Sequence, residues 1–128
     1  MLFKVLNCEQ LFATADYAHV DADIIRNVLT AGGRFASEVL APLDAPGDAI
    51  GTHFENGRVI TPPGFKRAYQ AYVDGGWEGL DQAQQYGGQD LPLVLQIAIA
   101  EMFNAGCHAF SMLPLMGKAA ARLLIQHA

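Results

Sequence analysis

One stretch limits what this chain can become. Residues 91–113 carry only five strongly polar side chains, Gln96, Glu101, Asn104, His108 and Ser111. The last four step by three, four and three, which lays them in one narrow stripe along a helix with apolar residues around the rest of the circumference. Such a helix has to be wrapped by protein on most sides or lie in a membrane. Its expected start is Tyr86-Gly87-Gly88-Gln89-Asp90-Leu91-Pro92, with two glycines for a tight turn, Asp90 near the N-cap and Pro92 in the first turn. Pro114 is read as its end. A membrane span is disfavoured, because a charged residue at mid-span costs roughly 2.5–3.5 kcal/mol and Glu101 sits there beside Asn104 and His108. No basic cluster flanks the segment, so a buried core helix is the expectation.

Composition bears on what surrounds that helix. The chain has 128 residues, is 52% hydrophobic and only 16% charged, sparse in charge for a domain that stands alone. Apolar surface is left over for a partner, and a lone copy is expected to pair with itself as a homo-oligomer. The net charge of −5 argues against a nucleic-acid partner. Cys8 and Cys107 form no spaced motif and read as free thiols in a reducing, cytoplasmic setting. Glu9 interrupts the apolar run that an export signal needs.

Taken in order, residues 1–6 read as an extended arm and 7–18 as a brief amphipathic turn around Leu11 and Phe12. These make up an N-terminal segment, 1–20, ahead of a helical domain, 21–128. A helix is expected over 21–41, capped by Asp21. Ile25, Val28, Leu29, Gly32, Phe35, Ala36 and Val39 fall on its apolar face. Gly32 on that face lets another backbone come close. Pro42 and Pro46 punctuate an expected loop over 43–50. Asn56-Gly57 predicts a two-stranded hairpin over about 52–60, which has to lean on the helices because a lone hairpin is marginal. Thr61 is the expected cap of the next helix, with Pro62 at its first position. Its apolar face is Phe65, Ala68, Tyr69, Tyr72 and Val73, and Gly75-Gly76 ends it. Trp77 and Leu80 are read as buried anchors, and 81–85 as one helical turn. A last helix begins near Leu115, with Lys118, Arg122 and Gln126 on a polar stripe and Ala119, Ala120, Leu123 and Leu124 apolar. Nothing closes it before Ala128, so the chain reads as part of a longer protein. The fold class expected is all-α, a mainly orthogonal helical bundle with one small hairpin.

Little in the residues spells out chemistry. His19, His53, His108 and His127 have no paired spacing for a metal. His108 is preferred as a hydrogen-bonded core histidine over a base. Glu101 is either an acid or base in an apolar setting or, the preferred reading, an ion-pair partner of Arg26, Arg34 or another basic group. Tyr86-Gly87-Gly88-Gln89 matches neither phosphate-binding glycine pattern. Cys107 and His108 are adjacent on a helix and point about 100° apart, so they form no nucleophile pair.

Gly75-Gly76-Trp77-Glu78-Gly79-Leu80, followed by Tyr86 to Pro92 as quoted, resembles the N-terminal domain of the flavin-dependent acyl-CoA dehydrogenases. Glu101-Met102, Cys107-His108-Ala109-Phe110-Ser111-Met112 and Pro114 fit the same pattern. The run from Phe35 to Leu43, together with Pro62-Pro63-Gly64-Phe65, is similar to the subgroup of methylmercaptopropionyl-CoA dehydrogenase-like enzymes. Members of that subgroup often carry glycine where this chain has Asp90. The resemblance implies a longer enzyme with a middle β domain and a C-terminal helical bundle. It implies FAD as cofactor, an acyl-CoA substrate, an electron-transfer acceptor, and a catalytic carboxylate on the C-terminal domain. It implies that this part supplies a wall of the acyl pocket near Ser111, Met112 and Leu115, packs against the other domains, and is inactive alone. Ordinary core residues would fit the same three positions, and a stand-alone helical scaffold or interaction module is the alternative reading.

Overall fold

The computed structural model describes residues 2–14 and 17–127. Met1 of the expected arm, Ala15 and Asp16, the side chain of Leu11, and Ala128 at the expected open end lie outside the described residues. The elements are α1 (Glu9–Phe12), α2 (Ala22–Phe35), a π-helical turn (Ala36–Leu40), α3 (Ala41–Ile50), β1 (His53–Glu55), β2 (Arg58–Ile60), α4 (Phe65–Asp74), α5 (Leu93–Gly106) and α6 (His108–His127). Short 3₁₀ turns at Trp77–Gly79 and Gln84–Tyr86 link α4 to α5. The molecule is a mainly helical bundle with one small antiparallel hairpin. Among the described residues no helix is long and apolar enough to cross a membrane.

The core forms where α2 crosses α5. Ile25 and Leu40 come from the first rod, Leu95, Ile99 and Phe103 from α5, and Tyr72, Trp77 and Leu80 from α4 and the connector. Asp21 caps α2, accepting from the Ile24 N–H at 2.7 Å. Gly32 is buried against α5, where a Cβ would overlap Ile99 Cδ1, so what fills the space is a side chain and not the backbone expected from the sequence. Phe35 sits 5.1 Å from the Phe103 ring and 5.9 Å from Trp77, which fastens the seam with aromatic contacts.

Several expectations are corrected. The loop expected over 43–50 is helical: α3 carries Pro42 in its first turn and Pro46 inside it. The π-helical turn makes room for the first of these prolines. The Ala41 N–H reaches back to Ala36 O, five residues away, and the wider turn admits a proline ring that an α-helix would reject. Residues 2–6 curl through turns instead of extending, and the Cys8 N–H closes them onto Leu2 O at 3.0 Å. The hairpin pairs His53 with Ile60, Phe54 with Val59 and Glu55 with Arg58. Its turn holds Asn56 at φ 51° and Gly57 at φ 77°, the two positive values that a two-residue hairpin loop needs. It does not lean on the helices, since all six strand residues are exposed.

Thr61 is not the cap of α4. The helix starts at Phe65 after Gly64, which is left-handed at φ 90°. Asp90 is likewise not a cap. It sits at φ 54°, and Pro92 occupies the N-cap of α5 without a side-chain bond. A left-handed backbone suits glycine best, and aspartate tolerates it better than most residues. The largest correction concerns the apolar stretch itself. The helix over 91–113 breaks at Cys107, which is extended at φ −158° and ψ 101°, and α6 then runs through Pro114 to His127.

Candidate functional site

The break at Cys107 folds α6 back across α4 and α5 and leaves a cavity of about 130 Å³ between them. Its floor is aromatic: Tyr72, Phe103 and Phe110 are each at most 5% exposed. Tyr72 meets Phe103 and Phe110 edge-on, with centroids 6.2 and 6.0 Å away. Ser111, Met112 and Leu115 form the wall along α6 with Pro114, so the three positions singled out from the sequence line one space. They are not core residues, because Met112 and Leu115 are exposed and Ser111 half-buried.

The polar rim comes from the stripe that was read along one helix. Asn104 Nδ2 donates to Ala100 O at 2.7 Å, which turns its Oδ1 toward His108. His108 Nδ1 lies 2.9 Å from that oxygen and so carries the proton. Ser111 Oγ donates to Cys107 O at 3.1 Å. Both Asn104 and His108 are exposed, so the expected core histidine is instead a rim histidine. Glu101 is exposed on α5 and meets neither expected partner: Arg26 pairs with Asp23 at 2.9 Å and Arg34 with Glu38 at 3.7 Å. Cys107 is buried in the core. Burial pushes its thiol up, and the Asp44 carboxylate adds to the rise, which leaves it inert as a nucleophile.

Lys118 and Arg122, read from the sequence as part of a polar stripe, both reach the connector after α4, Lys118 half-buried and Arg122 exposed. Lys118 Nζ donates to Trp77 O at 2.7 Å and lies 5.7 Å from the centre of the Tyr72 ring. Arg122 pairs at 2.7 Å with Asp81, whose side chain is only 8% exposed. Burial holds the Lys118 ammonium below the usual lysine range, while Glu78 and Asp81 pull the other way. Burial also raises the Tyr72 phenol, with Glu78 adding to it. Tyr72, Gln96 and Lys118 line the cavity yet carry no sequence signal for it. They arrive through the crossing of helices that lie far apart in the chain.

The lining does not suit a flavin dinucleotide. Lys118 is its one lysine or arginine among the described residues, and that cation already donates to the Trp77 carbonyl and feels the charges of Glu78 and Asp81. A space of 130 Å³ compares with the roughly 150 Å³ apolar cavity that accepts a benzene-sized molecule. The arrangement can bind a small apolar group and shield it from water. Among the described residues no cluster of metal-ligating side chains occurs.

No family model matches the chain. Over 107 residues it is 39% identical to 3-methylmercaptopropionyl-CoA dehydrogenase of Ruegeria pomeroyi, covering 84% of this chain and 18% of that protein. Over 104 residues it is 29% identical to the broad-specificity linear acyl-CoA dehydrogenase FadE5 of Mycobacterium tuberculosis, covering 78% of this chain and 17% of that one. The match falls in the N-terminal region of these proteins. The chain thus spans less than a fifth of the curated relatives it matches.

Proposed function

From the membership of this chain in the acyl-CoA dehydrogenase family, as its N-terminal helical domain, we propose that the α4–α5–α6 cavity is one wall of an acyl pocket. The observation that carries this is the convergence of Ser111, Met112 and Leu115 on an aromatic floor. Methionine adapts its shape to a flexible apolar tail, and the aromatic floor keeps water from it. The parent enzyme desaturates an acyl-CoA thioester between its α and β carbons and passes electrons to an acceptor. FAD would supply the hydride acceptor, and residues to hold it would come from polypeptide outside this chain. This chain's part is to bind and orient the tail and to pack against the remaining domains of a cytoplasmic homo-oligomer. It is inactive alone.

The test grafts this chain into the Ruegeria enzyme in place of the matched 107 residues. The chimera is expected to dehydrogenate acyl-CoA thioesters. Met112→Trp is expected to raise KM for longer tails at least tenfold with little change in kcat. A chimera whose KM ignores Met112, Leu115 and tail length overturns the pocket assignment. Flavin at unit stoichiometry on the isolated chain overturns the division of labour. The exposed apolar flank of α6 favours a second reading, a non-catalytic scaffold or interaction module. An open reading frame that continues into a β domain decides for the first, and a stop codon after Ala128 for the second.

A further inference from the structure

Beyond Phe110, none of the described residues of α6 is buried. Leu113, Met116, Leu123 and Leu124 point outward, each more than half exposed. Pro114 has no N–H to give, so one rung of the helix is missing just before this arm. The arm therefore has little hydrophobic hold on the body of the protein. It does have two charged fastenings, both at 2.7 Å and both to the connector after α4: Lys118 to Trp77 O and Arg122 to Asp81. Gly117 brings the backbone close to the same connector, since a Cβ there would lie 3.3 Å from Glu78 Oε1. Lys118 is one turn past Leu115, and both line the cavity.

We propose that Lys118 and Arg122 are positioning residues, which latch the outer arm of α6 to residues 77–81 and so hold Met112 and Leu115 over the cavity. This rests on the reading of that cavity as the binding site, but the latch itself is tested without any acyl ligand. The groups that face Lys118 are Tyr72 from α4, Glu78 and Asp81 from the connector, and Arg122 from α6 itself. Charge and reach are both required of the latch, so arginine serves at position 118 and methionine, of similar length, does not.

Amide hydrogen exchange on the full chain decides it. Lys118→Met is expected to speed exchange of the α6 amides after Pro114 at least tenfold while those of α5 from Leu95 to Phe103 are unchanged. Lys118→Arg is expected to restore most of the protection. Asp81→Asn, a near-isosteric change on the connector, is expected to give the same pattern at about threefold, and it makes the comparison if Lys118→Met does not fold. Benzene, used as an apolar probe, is expected to shift the Phe110 and Met112 resonances in the parent and in Lys118→Arg but not in Lys118→Met. Exchange that rises equally in α5 and α6, or no advantage of arginine over methionine, overturns the latch. A chain that shows the latch yet takes no acyl thioester when grafted sinks the proposed function alone.

Discussion

The seam between α2 and α5 and the outer arm of α6 are both built from amphipathic or apolar helices, yet they meet the rest of the molecule differently. At the seam Ile25, Gly32, Ile99 and Phe103 face inward, and Asp23, Arg26 and Arg34 face solvent. On α6 Lys118 is half-buried against the connector and Arg122, though exposed, reaches Asp81 there, while Leu123 and Leu124 face solvent. The pattern of a helix shows that it has two faces. Which one goes inward depends on what the rest of the molecule offers. Where it offers apolar shape, burial of about 25 cal/mol per Å² decides. Where it offers a carbonyl that Tyr72 Oη bonds only at 3.3 Å, and a nearly buried carboxylate, cations are drawn to it instead.

The contrast can be broken at the seam with the largest effect. Phe103→Ala is expected to cost about 3–5 kcal/mol, read as a lower denaturant midpoint at constant slope, because the ring fills the space between Phe35, Tyr72 and Trp77. Gly32→Leu overfills the crossing with Ile99 and is expected to cost about 1–3 kcal/mol in the same measurement.

Titration sharpens the comparison further, since Tyr72 and Lys118 respond to alkali with opposite signs. Tyr72, buried under both, has its phenol raised by burial. Its contribution is complete below the ordinary tyrosine value of about 10. It is then lost as pH climbs, by up to about 1.4 kcal/mol per unit. Lys118 has its ammonium lowered, so stability rises with pH between that lowered value and the ordinary 10.5. Melting temperature against pH is expected to lose the alkaline decline in Tyr72→Phe and the preceding rise in Lys118→Met.

The smallest effect on stability lies on the outer face. Leu123→Lys is expected to change unfolding free energy by no more than about 0.5 kcal/mol. It is also expected to shift light scattering of concentrated chain toward the monomer, since it interrupts the exposed apolar flank. A loss comparable to that of Phe103→Ala would mean that the arm carries hydrophobic weight after all.

Much of the seam was legible. The i, i+3, i+4 spacing from Ile25 to Phe35, the anchors Trp77 and Leu80 and the Asn56-Gly57 turn are all local signals, and each appears in the fold, whereas the room at Gly32 takes the Ile99 side chain and not a backbone. The errors fall where a local stop signal was overruled. Pro42 stayed helical because a π-helical turn made room, Pro46 stayed helical inside α3, and Pro114 stayed helical while Cys107 broke the run. At the site, Ser111, Met112 and Leu115 were reached chiefly through resemblance, with Ser111 also on the polar stripe. The polar stripe supplied Asn104 and His108 as rim and misplaced Glu101. Tyr72 and Lys118 were out of reach, since what places them is a contact across 41 residues of chain between Trp77 and Lys118.

The rod from Ala22 to Ile50 bends its own arithmetic at Ala36–Leu40. A π turn holds one amino acid more than an α turn would, and every position after it is rotated by about 100°. Deleting a single residue there would heal the helix yet carry Leu43 and Gly47 off the flank they share with Gly64 and Phe65. The stretch is thus a vernier: its length, more than the identity of any side chain in it, sets which flank of α3 meets α4, and a gap of one in a relative at this place would mark a different docking of the two.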